Sequence, residues 1–412
     1  MIRRRSVKLS CWIVVWLLLI YGGFHAWEYL SGNPYVDYLE NHSETVPLGT
    51  AFDYSLMHED LQSSRVILVG EIHGFAEPNR FDVDFFKQLH QHYGVRHYLS
   101  ELDFVQAKYV NRFLDSGNRS YLDQALKHWG VIQGRDNQSY YDKFLALQEF
   151  QSTLPVSEKF TVVGIDKIRD TLLLDRYLDD AFPMTERNAR LQTSDNRIGR
   201  LDRLLLRDST TSEQLATLKH LRKNLQYLNE GRNREEILFH NFTSFYDSLR
   251  LQKERVYGFL GLYHVMQYSI NQTEPLAAKI RKSGMVPKRG LLSINFIMNE
   301  SKMVLPSDQL PDMLQDDGPY TRFPISADNM LTTYIVGVRD LKRITPPRHL
   351  SLVKLNGVHS PYAQSTRLQR IIKVLPLSQD FTMTEKGRPY VQYAIFVRHS
   401  DWAEPMGESF IP

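Results

Sequence analysis

Arg65-Val66 leads through apolar residues to Gly70-Glu71-Ile72-His73, and Arg255-Val256 leads in the same way to Gly261-Leu262-Tyr263-His264. Each segment reads as a strand followed by Gly-x-x-His. Two further apolar runs end in acids, Glu101 after His97-Tyr-Leu-Ser and Asp166 after Val162-Val-Gly-Ile. Glu71 stands two positions before His73, so both side chains can project to one side of an extended segment. In an open parallel sheet the residues just beyond the strand carboxyl ends line one crevice, so the two histidines are expected to converge although 191 positions separate them. Two imidazoles and three acids can do chemistry in two ways. His73 can act as a general base with Glu71 and Glu101 orienting it, or the set can hold a divalent metal ion, with His73, His264 and Glu101 as ligands, that acidifies a bound water.

Positioning these groups requires a scaffold of alternating elements. Short β-branched or apolar runs at 65–74, 95–103, 160–166, 255–265 and 349–359 read as buried strands, and stretches with helical spacing lie between them, such as Phe81, Phe85, Phe86 and Leu89. The alternation predicts an α/β fold with a largely parallel central sheet flanked by helices. Residues 171–252 lack strand signal and repeat Leu215, Leu218, Leu225 and Leu228 at helix-face spacing, which predicts a helical insertion packed through that stripe. Thr210 to Glu213 fits a capping box and Gly231 a helix stop. Further strands are expected at 291–299, 333–340 and 390–400. A third strand-end histidine, His359, lacks an accompanying carboxylate and stays outside the site, as does Arg80.

Composition excludes several classes. One cysteine in 412 residues, Cys11, rules out a disulfide framework and cysteine-rich metal centres. The net charge of +3 falls to −1 once Arg3, Arg4, Arg5 and Lys8 are set aside, so the basic character sits at the N-terminal tip and no nucleic-acid partner is expected. From Leu9 to Trp27 no Asp, Glu, Lys or Arg occurs, and those 19 residues span roughly 28 Å as a helix, close to a hydrocarbon core. With the arginines held inside, this predicts a single-pass anchor with a cytoplasmic N-terminus and an extracytoplasmic body. The expected organisation is a cytoplasmic tip and transmembrane helix at 1–30, a stalk at 31–60 and one α/β domain at 61–412.

The paired Gly-x-x-His motifs, with Glu101 between them, resemble a superfamily that joins Tiki-type metalloproteases and their TraB relatives, ChaN-type haem-binding lipoproteins and erythromycin esterases. Gly70-Glu71-Ile72-His73 is most similar to the ChaN branch. Glu101 with Gln106 and Arg112-Phe113-Leu114, and Arg234-Glu235-Glu236 through Asn241, resemble the acid and the two helices that accompany those histidines. Two departures stand out: the esterases have a further histidine where this chain has Leu260, and a lipoprotein cysteine is absent. The resemblance implies a cleft centred on Glu71, His73, Glu101 and His264, with Asp166, Arg234 and Glu235 in support. Three functions stay open: a hydrolase acting on an ester or amide in a small molecule or peptide, a haem- or iron-binding protein without turnover, and a scaffold that keeps only the fold.

Overall fold

The computed structural model describes residues 2–126, 137–183, 197–207, 211–249, 253–373, 383 and 388–406, with side chains of 2–11, 13, 14 and 17 excluded. Its centre is an eight-stranded sheet of order β1-β11-β13-β6-β2-β5-β3-β4. The strands are β1 (Ser43–Pro47), β2 (Val66–Glu71), β3 (His97–Ser100), β4 (Thr161–Gly164), β5 (Val256–Gly261), β6 (Leu291–Asn299), β11 (His349–Lys354) and β13 (Tyr393–Arg398). From β13 to β4 every pairing is parallel, whereas β11 and β1 run antiparallel at the far edge. Two small sheets flank it: the hairpin β7 (Ser301–Pro306) with β8 (Tyr320–Ile325), and the set β9 (Asp328–Asn329), β10 (Thr333–Ile335) and β12 (Ile371–Ile372).

Two apolar layers bury the sheet. Ile67, Val69, Tyr98, Tyr257 and Phe259 face one layer, which includes helices α3 (Ala76–Tyr93), α4 (Phe104–Ser116) and α5 (Gln138–Ser152). Val66, Leu68, Leu99 and Leu260 face the other, as two-residue alternation demands. The 171–252 region is helical in its described parts, including α6 (Ser212–Asn229) and α7 (Arg234–Ser248). Leu218 and Leu225 of the stripe are buried in the first layer. The cap of α6 falls one residue later than expected: Thr211 accepts from the Gln214 amide, and Thr210 lies outside the described residues.

Three stretches differ from the sequence reading. The segment expected as a stalk, 31–60, carries helix Asn33–Glu40 and strand β1, which extends the central sheet beside β11. Its buried Val36, Leu39, Phe52 and Met57 are scattered among polar residues, which hides them from a composition scan. The run 333–340 is strand only to Ile335; Gly337 then turns at φ 91° into helix Val338–Ile344. β11 is antiparallel to β13, so the exposed His359 beyond its end lies toward the opposite edge of the sheet from His73 and His264.

The apolar run 9–27 lies inside one helix, Ile2–Ser31. Among the described residues no helix is long and apolar enough to cross a membrane. Near the helix end the buried Glu28 accepts from the Gly337 amide at 2.8 Å and from the Tyr334 hydroxyl, tying the helix to the body.

Gly70 explains part of its motif. A side chain there would press on Val265 and lie 3.0 Å from the Leu262 Cα, inside the turn that carries His264. Gly70→Ala is therefore expected to cost about 1–3 kcal/mol, as overpacking of a filled interior does. Urea unfolding of the variant against the parent checks this.

Candidate active site

β2 and β5 are neighbours, with Glu71 opposite Gly261, and β3 lies on the other side of β5 with Ser100 opposite Phe259. The three strands end together. Register alone therefore carries His73, His264 and Glu101 into one crevice at the carboxyl edge of the sheet, across a chain separation that would otherwise scatter them.

Glu101 is the hub. Its Oε1 lies 2.7 Å from His264 Nε2 and 3.3 Å from an Arg234 guanidinium nitrogen, and it accepts from the Gly261 amide at 3.1 Å. Its Oε2 lies 3.8 Å from His73 Nε2. The other ring nitrogen of His73, Nδ1, is 2.9 Å from Glu71 Oε1. Glu71 and Glu101 are buried, and the His73 side chain, 24% exposed, is the more open of the two imidazoles; that of His264 is 6% exposed. At Gly261 a Cβ would stand 3.3 Å from both His73 Nε2 and Glu101 Oε1, a tight contact that those side chains would have to relieve by a few tenths of an ångström.

His264 is bracketed by acids. Glu235 Oε1 lies 2.7 Å from its Nδ1, while Glu235 Oε2 accepts from the Leu276 amide at 2.8 Å. Arg234, beside Glu235 at the start of α7, forks onto Asp166 with bonds of 3.0 and 2.8 Å. Arg169 reaches the same carboxylate at 2.9 Å through Nε. Burial pushes the Asp166 carboxyl up, but the two guanidinium groups outweigh it and hold the group well below the usual carboxylate range.

All seven residues singled out in the sequence, Glu71, His73, Glu101, His264, Asp166, Arg234 and Glu235, thus belong to one connected network. Two members were missed. Arg169 shares Asp166, and its amide donates to Asp103 Oδ2 at 3.1 Å. Asp103 caps α4 through Oδ1, accepting from the Val105 and Gln106 amides, while the Asp103 amide donates to the Gln106 side-chain oxygen. Burial pushes the Asp103 carboxyl up to about 6 against those donors. Asp166 and Arg169 lie in the loop between β4 and the helix that starts at Thr171, where sequence spacing gives no pairing rule.

The set fits a metal ion poorly. His73 Nδ1 and both nitrogens of His264 already lie within 2.9 Å of carboxylate oxygens. Among the described residues no group of three His, Cys, Asp or Glu is arranged to hold an ion.

No protein-family model matches the chain, and no curated protein sequence matches it. Solved structures with a similar fold include a Bacillus cereus protein, with TM-score 0.64 and 14% identity over 91% of this chain and 99% of that one. A succinoglycan biosynthesis protein gives 0.62 and 12% over 91% and 98%. Erythromycin esterase EreC, as a histidine-to-asparagine mutant in its open conformation, gives 0.52 and 10% over 88% and 98%. The chain shares its fold with these structures, and at these identities the likeness is one of fold alone.

Proposed function

We propose that this chain is a membrane-anchored hydrolase that cleaves an ester or amide, with His73 as general base. The observation that supports it best is the contrast between the imidazoles. His264 is enclosed between Glu101 and Glu235, whereas His73 is open to solvent, backed by Glu71 on one nitrogen and facing Glu101 across 3.8 Å on the other. A water placed beside this pair could hydrogen-bond to both His73 Nε2 and Glu101. His73 takes a proton from this water as its oxygen attacks the carbonyl carbon. The carbonyl π electrons move onto oxygen, and the tetrahedral anion then expels the alcohol or amine, which leaves with the proton from His73. Glu71 fixes the His73 ring, Glu101 orients the water, and Arg234, 31% exposed at its side chain, supplies positive charge beside the developing oxyanion. His264 holds Glu101 in place.

The Tiki, TraB and ChaN resemblance supports the same cleft by motif, and the esterase-like fold supports a hydrolase by architecture. The anchor rests on the apolar stretch Leu9–Trp27, which would hold the body on the extracytoplasmic side. Full-length protein in lipid nanodiscs is to be assayed on a panel of esters and peptides, with and without a chelator. Turnover that survives chelation is expected. Loss of all turnover on chelation would move the chemistry to a metal ion, and a stoichiometric Soret band without any turnover would replace the hydrolase by a haem-binding protein.

A further inference from the structure

Away from the catalytic crevice, three helix faces meet the edge strand β4 and fail to close on it. On α4 the facing residues are Phe104, Ala107, Lys108 and Asn111, one stripe at i, i+3, i+4 and i+7. On α6 they are Glu213, Ala216, Thr217 and His220, at the same spacing. On α7 they are Ser244, Phe245, Ser248 and Leu249. Each stripe places small residues, Ala107, Ala216, Thr217, Ser244 and Ser248, where a leucine would fill the space. The void between them measures about 320 Å³, within the usual range for small-molecule sites.

Its chemistry selects an occupant. The Phe104 and Phe245 rings are parallel, with centroids 6.2 Å apart, and the His220 ring lies about equally close to both, at 5.0 and 5.1 Å. Burial pushes His220 down to about 4, and the neighbouring His240 adds to the effect, so the imidazole is uncharged at neutral pH. Lys108 and Glu213 lie on the lining with opposite signs, so neither cationic nor anionic ligands gain a net advantage. A peptide strand is disfavoured. The edge of β4 is already closed by the Asn111 amide, which donates to the Val162 carbonyl at 2.8 Å and accepts from the Val162 amide at 2.9 Å, in the manner of a neighbouring strand.

We propose that this cavity is a second ligand site, separate from the hydrolytic crevice, that takes an uncharged planar aromatic molecule of about two fused rings stacked among Phe104, His220 and Phe245. Occupancy would bridge α4 and α7, the helices whose first turns carry Asp103 and the Arg234–Glu235 pair. The site stands whether or not the crevice hydrolyses anything.

Indole is the probe. Full-length protein in nanodiscs, labelled with ¹³C at alanine methyls, is titrated with indole, and the Ala107 and Ala216 methyl signals are followed. Saturable shifts at those two methyls are expected below roughly 1 mM, the range for a fragment-sized ligand. Ala216→Leu, at the more exposed position, and separately Ala107→Leu should weaken indole binding at least about tenfold, read at the remaining methyl, while distant alanine signals stay in place and show that the fold persists. Absence of shifts at both methyls, or equal affinity in a folded filled variant, would overturn the proposal.

Discussion

His73→Ala is expected to lower kcat/KM on any ester or amide the chain hydrolyses by at least ~100-fold, in keeping with the removal of a positioned general base. That factor corresponds to about 2.7 kcal/mol of lost transition-state stabilisation. The expectation is specific to His73 because it is the more open imidazole, with Glu71 behind Nδ1 and Glu101 beside Nε2. The His73 side chain is 24% exposed, so the variant should keep its fold, which a thermal midpoint near that of the parent verifies. An unchanged rate in a folded His73→Ala protein would remove this residue from the mechanism.

Asp166→Ala is expected to be strongly destabilising. The carboxylate is fully buried and holds two guanidinium groups, Arg234 and Arg169. Removing one partner of a buried pair costs about 3–5 kcal/mol, and the partial exposure of both arginines places the loss near the lower figure, about 3 kcal/mol. Activity should fall as well, since Arg234 loses the fork that aims it at Glu101. The effect also has a pH signature. A carboxyl whose folded pKa is depressed contributes stability above its unfolded value, near ~3.9, and loses that contribution as pH falls through the folded value. The stability gap between the parent and the milder Asp166→Asn should therefore be full between about pH 5 and 7 and shrink below about pH 4. Urea midpoints across that range measure it, and a gap that widens toward acid would contradict the sign.

The parts of this arrangement that were legible in the sequence are those fixed by local pattern. β2 ends in Gly-x-x-His because a side chain at Gly70 would press into the turn after β5, and Gly261 leaves β5 uncrowded beside His73 and Glu101; both marks are local. The acids at 101 and 166 follow apolar runs for the same reason: a strand ends where a polar group can reach the crevice. Strand order was not legible. Nothing local says that β5 inserts between β2 and β3, which is what makes His264 touch Glu101 rather than merely share an edge with it. Nor did a composition scan separate β1 from a stalk, because an edge strand that pairs on one side needs few apolar residues. Strand direction was equally hidden, and it decides that His359 stands apart from the other two histidines. The empty stripe of small residues on α4, α6 and α7 was visible as letters but carried meaning only once the three helices were seen to face one another.

The most direct test of the shared site is a double-mutant cycle on kcat/KM, using His73→Ala, His264→Ala and the combined variant, each checked for folding. Residues that act through one hub should be strongly non-additive. The expected result is that each single change is severe and that the pair is little worse than His73→Ala alone. Penalties that multiply independently, or a His264→Ala protein as fast as the parent, would mean that the two imidazoles do not serve one reaction.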